Sequence, residues 1–227
     1  STEEVMAHRK YHLERVRRLF AKTDVLVFTL GLTEAWLNRS TQTVYPTAPG
    51  VIAGSYDPAM IGFVNFSFMD IYNDMREVRD MLLAINPTMR MVLTVSPVPL
   101  TATASGDHVL VATVRSKSIL RAVCASLSSE FDNVDYFPSY EIITQPGARS
   151  DFYESNLRSV TAEGVETVMR TFFVEHPARN ADSAAEQPDA IDNNARRQAR
   201  LERKQNKGQK RSDDVVCEDA LLEAFSK

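Results

Sequence analysis

Cysteine is nearly absent from this 227-residue chain, which has only Cys124 and Cys217, one in a stretch that reads as helix and the other in a polar tail. Two such thiols make no disulfide framework, and no His/Cys spacing suits zinc, so no metal and no cofactor are expected and a reducing cytoplasm fits best. Long apolar runs are missing too. Nothing approaches the roughly 18 consecutive apolar residues of a membrane helix. The opening Ser-Thr-Glu-Glu-Val-Met lacks the basic-then-apolar order of a secretory signal, so no membrane partner is expected, and a start at Ser1 points to a trimmed or partial sequence. There is no Gly-x-Ser-x-Gly elbow, no glycine-rich phosphate loop and no His-Glu-x-x-His. A net charge of −4 and a pI of 5.6 leave no general attraction to nucleic acid.

What is present is an alternation of buried strands and amphipathic helices. Met6, Leu13, Val16 and Phe20 recur at helical spacing, which predicts a helix over residues 2–20. Asp24 to Leu30 is a continuous apolar run, the pattern of a strand buried on both faces of a parallel sheet. From Ser40 to Phe63 the prolines and glycines predict a long excursion, with a short hairpin around Thr43 to Tyr45. Phe68, Ile71, Met75, Val78, Leu82 and Ile85 form a helical stripe stopped by Asn86-Pro87. A second strand at Met91 to Val95 is halted by Pro97 and Pro99, and a helix runs from about Val109 to Phe131. A third strand at Val134 to Phe137 is closed by Pro138, and a last helix runs from about Thr161 to Val174. Such alternation implies an α/β domain over residues 1–176. Three parallel strands are few, and at least one more is expected upstream.

Residues 177–227 change to a polar, charged composition expected to be disordered. Within them the block 196–211 is basic, and 213–225 is acidic and apolar enough for a short C-terminal helix. Nucleic acid is not expected as a partner unless through that basic block, which reads more readily as a solvated linker.

Ligands of a parallel sheet bind beyond the carboxyl ends of its strands. Gly31 to Trp36, Ser96 to Leu100 and Ser139 to Glu141 follow the three strands, and each mixes small, polar and rigid residues. These clusters, together with His108, are expected to line one cleft. His108 opens the long helix, where the helix dipole favours the neutral imidazole of a general base. Two readings stand for Glu34 and Trp36: a helix cap and plain packing, or a site. Ser116-Lys117 is a conceivable nucleophile pair, although adjacent helix residues do not face each other.

At these clusters the chain resembles the GSCFA family, with the SGNH hydrolases as wider kin. The resemblance rests on Val27–Trp36, Phe63–Phe66, Leu93–Leu100, His108–Thr113, Ser116–Arg121 and Tyr136–Ile142, in that order, within roughly residues 1–176. It implies a three-layer α/β/α, flavodoxin-like SGNH fold with a mostly parallel sheet, truncated at its N-terminus. The Gly-Ser-Cys-Phe-Ala motif, placed where SGNH enzymes carry the nucleophilic serine, does not occur in these residues. Gly31-Leu32-Thr33-Glu34 stands at the Gly-x-Asn oxyanion donor, with Glu34 taken for the Asn. Asn156 to Ser159 stands at the terminal Asp-x-x-His but has neither acid nor base. The implied catalytic residues are His108 and Glu34, the acid fixing the tautomer of the imidazole. The implied binding residues are Gly31, Thr33, Trp36, Asn65, Ser96, Ser116, Lys117, Ser139 and Glu141. The implied activity is hydrolysis or transfer of acyl esters on a glycan or other hydroxylated small molecule, inactive in this portion alone. The alternatives are a binding domain with a degenerate site and an interaction protein using the basic tail.

Overall fold

The computed structural model describes residues 1–52, 54–145 and 152–176. The basic block, the C-terminal segment and Cys217 lie outside them. Helix α1 spans Thr2–Phe20, capped by Ser1, whose hydroxyl accepts from the Glu4 amide while Glu4 takes the Ser1 ammonium. Strand β1 (Val25–Leu30) pairs in parallel with β5 (Arg90–Val95), which pairs in parallel with β6 (Val134–Tyr136), giving the order β1-β5-β6. The register puts Phe28 beside Leu93 and Leu30 beside Val95.

Helices α2 (Phe68–Ile85) and α3 (Val109–Glu130) build the core on one face of that sheet. Met75 and Leu82 of α2 and Leu120, Val123, Cys124 and Leu127 of α3 cluster with Met91, Leu93 and Val95 of β5. The alternation of a strand turns Val92 and Thr94 to the other face, where Thr94 is hydrogen-bonded to Ser139 of the short α4 (Ser139–Thr144). Helix α5 (Ala162–Glu175) begins at Thr161, whose hydroxyl accepts from the Gly164 amide, and its Phe172 meets Phe137 edge to face. The helices and parallel strands read from the sequence are therefore borne out, within a residue or two at their ends.

Two expectations are corrected. The excursion after β1 is a second, antiparallel sheet: β2 (Glu34–Asn38) lies between β3 (Val44–Tyr45) and β4 (Ile61–Asn65). Its period-two signal is faint because every residue of β2 is half-buried, so neither face is plainly polar. Glu34 thus starts a strand rather than capping a helix. Strand β1 is not buried on both faces either. Among the described residues it is paired on one side only, as the edge of the sheet, and Val25, Val27 and Phe28 are between 43 and 49% exposed. Helix α1 likewise buries none of its residues.

Candidate functional site

The turn from β1 to β2 is held by α3 from below. Thr33 is fully buried; its amide donates to Ser116 Oγ at 3.3 Å, and its hydroxyl lies 2.7 Å from both Asn65 Oδ1 and Ser116 Oγ. Asn65 Oδ1 can only accept, so Thr33 donates its single proton there and Ser116 donates to Thr33. Lys117, 2% exposed, donates from Nζ to the Gly31 carbonyl at 2.8 Å. A trans peptide then turns the Leu32 N–H away from the lysine. Burial lowers the Lys117 pKa to about 8, and among the described residues no carboxylate forms an ion pair with it. Ser116 and Lys117 thus serve one turn together without facing each other.

Above that turn, at the carboxyl ends of β1 and β5, opens a cleft of about 410 Å³. One wall is apolar: Trp36 of β2 and Phe63 of β4 meet edge to face at 5.5 Å and are joined by Ile52 and Pro46 from the β3–β4 connection. The other wall is the loop that leaves β5, from Ser96 through Val98 and Leu100 to Ala104. Prolines 97 and 99 keep that loop out of the sheet, since they offer no amide to a ladder. The rim is polar: Thr103 Oγ1 donates to Glu34 Oε1 at 2.7 Å and is itself 2.8 Å from Ser105 Oγ. Arg158 joins the rim from the segment before α5, which is tied down by Tyr153 donating to the Pro97 carbonyl at 2.8 Å.

The expected site residues therefore divide. Gly31, Glu34, Trp36 and Ser96 line the cleft; Thr33, Asn65, Ser116 and Lys117 lie beneath it as the clamp on its floor. His108, Ser139 and Glu141 are not in the lining. His108 caps α3, with Nδ1 accepting from the Leu110 amide at 3.2 Å. That acceptor role leaves the ring proton of a neutral imidazole on Nε2. Ser139 donates to the Val95 carbonyl at 3.1 Å. Glu141 takes Arg121 Nε at 2.5 Å on one oxygen and the Tyr136 hydroxyl at 2.7 Å on the other, and burial together with that bond raises the Tyr136 pKa. No hydrogen bond joins Glu34 to His108. Counted from Gly31, the third position of a Gly-x-Asn pattern falls on Thr33, one residue before the Glu34 to which it was assigned.

Thr103, Phe63, Ile52 and Arg158 were not among the sequence candidates. The run Thr101-Ala-Thr-Ala-Ser105, rich in small hydroxyl residues just past a strand-ending proline pair, is the signal that could have found Thr103. Among the described residues no cluster of His, Cys, Asp and Glu is suited to a metal ion, and no helix is long and apolar enough to cross a membrane. A model of the GSCFA family matches residues 1–172. No curated protein matches the chain.

Proposed function

The chain belongs to the GSCFA family, and from that premise we propose that the cleft is the substrate site of an SGNH-like hydrolase or acyltransferase acting on acyl esters of a glycan or another hydroxylated molecule. The observation that carries the reading is the pairing of an aromatic wall with a carboxylate–hydroxyl rim at the carboxyl ends of parallel strands, Trp36 and Phe63 beside Glu34 and Thr103. Aromatic faces suit the C–H faces of a sugar or an acyl chain, and Glu34 with Thr103 suits hydroxyl groups. The family resemblance supplies the ester chemistry. In this reading Glu34 and His108 are the acid and base, and His108 must release the Leu110 amide before Nδ1 can accept a proton.

That last requirement favours a second reading, in which these residues bind the ester without cleaving it. His108 and Glu34 are both engaged in hydrogen bonds that serve the fold, and Ser116, the one serine of the candidate pair, is fully buried under Thr33. The test is to measure binding of 6-O-acetylglucose and 6-O-hexanoylglucose by calorimetry and release of the free acid on the same samples. Turnover lost in Glu34→Gln and His108→Ala at unchanged stability supports the enzyme. Binding without turnover, in a form that carries the Gly-Ser-Cys-Phe-Ala segment ahead of these residues, supports the binding domain, and no binding of either ester overturns both.

A further inference from the structure

We propose that the cleft takes a medium-chain acyl group of about six to eight carbons along its apolar wall, with the hydroxylated part of the ligand at the Glu34–Thr103 rim; this rests on the acyl-ester reading of the cleft. The wall is more apolar, and more open, than a sugar alone requires. Ile52 is 51% exposed, Leu32 42% and Val98 38%, and all three face the same cleft as Trp36 and Phe63. Apolar side chains left in water around a concavity, rather than scattered over a convex surface, mark a place where apolar ligand surface is buried.

Size gives the chain length. At about 30 Å³ for a water-sized group, a cleft of about 410 Å³ holds on the order of a dozen heavy atoms. An acetyl group would leave most of it filled with water against apolar walls. A hexanoyl or octanoyl chain fills the wall and still leaves the ester and the nearest hydroxyls at the rim. Polarity gives the direction of the chain. Thr103, Glu34 and Ser105 are joined by hydrogen bonds where the start of β2 meets the loop after β5, whereas Phe63 comes from β4 and Ile52 and Pro46 from the β3–β4 connection. The ester oxygens therefore belong near Thr103, and the methyl end near Ile52.

Trp36 is the only tryptophan of the chain, so its fluorescence reads this cleft directly. The experiment titrates the protein with 6-O-acylglucose esters carrying acyl chains of two, four, six, eight and ten carbons, below micelle-forming concentrations. Affinity should tighten by about two- to fourfold per methylene up to about eight carbons, at least about fiftyfold in all, and then level off. Ile52→Ser, at an exposed position that the fold tolerates, should flatten that slope, and Thr103→Val should weaken every ester by a similar factor. Binding that is independent of chain length overturns the inference while leaving the acyl-ester reading standing. A slope that continues unbroken to ten carbons, or one unchanged in Ile52→Ser, places the chain elsewhere and overturns it too. Failure of every ester to bind overturns the acyl-ester reading and the inference with it.

Discussion

Replacing Lys117 by methionine isolates the electrostatic cost of the clamp under the cleft. The lysine is 2% exposed, and burial takes its pKa from the ordinary 10.5 to about 8, which corresponds to about 3 kcal/mol against the ammonium in the folded chain. Between about pH 8 and 10.5 the unfolded chain holds a proton here that the folded chain has lost. Stability contributed by this residue therefore rises with pH across that window, is fully present above 10.5, and is lost as pH falls through 8. At pH 7 the methionine variant avoids the buried charge but leaves the Gly31 carbonyl without its partner, at about 1–3 kcal/mol, so the two proteins should be nearly equally stable. The informative quantity is their difference. Urea unfolding of both proteins from pH 7 to 10.5 should show the wild type gaining up to about 3 kcal/mol on Lys117→Met, nearly all above pH 8. Cys124, whose pKa is raised to about 12 by burial, acts in the opposite sense above pH 9, but it is common to both proteins and cancels. A difference that stays flat through this range would mean that Lys117 titrates as a solvated lysine, and the buried-clamp argument would fail.

Other consequences are simpler to measure. In a Cys217→Ser background, Cys124, fully buried and with its thiol pKa pushed up to about 12, should react with an aromatic disulfide at pH 8 at least about a thousandfold more slowly when folded than in urea. Thr33→Val keeps the shape of the side chain but strips Asn65 and Ser116 of a shared partner, so chemical denaturation should show a loss of about 1–3 kcal/mol. Gly164→Ala puts a methyl group 2.8 Å from Val160 Cγ1 and 3.2 Å from Ile143 Cδ1, and overpacking of about 1–3 kcal/mol should outweigh the helix propensity gained, lowering the thermal midpoint. Ser67→Ala removes the hydroxyl that caps α2 by accepting from the Asp70 amide, while the residue 67 amide can still donate to Asp70, at a loss of about 1 kcal/mol by urea unfolding.

The parallel sheet and its helices are legible in the sequence because their signals are local. Leu93 sits in an unbroken apolar run, and the 68–85 stripe has both a capping serine and an Asn-Pro stop. Of the antiparallel sheet only the hairpin at Val44–Tyr45 is legible; the pairing of β2 with β4 is not, because Trp36 and Phe63 owe their strand conformation to each other across 27 positions, a long-range pairing that no window reveals. The cleft is half legible on the same grounds. Gly31, Glu34, Trp36 and Ser96 are found by the rule that ligands lie past strand ends. Glu141 follows the same rule and His108 was expected from its place at a helix start, yet both are held out of the lining, His108 by the cap of α3 and Glu141 by Arg121 and Tyr136. Lys117 reads from the sequence as half of a nucleophile pair or, by resemblance, as a binding residue, and only its burial under Gly31 marks it as part of the floor.

The claim that the cleft past β1 and β5 is a ligand site is tested most directly by amide chemical shifts in the ¹⁵N-labelled protein titrated with 6-O-octanoylglucose. The account predicts saturable shifts concentrated in residues 31–36 and 96–104, with the Trp36 indole N–H among the largest and α1 unmoved. Shifts that do not saturate, or that gather on α1 and β1 instead, would contradict it.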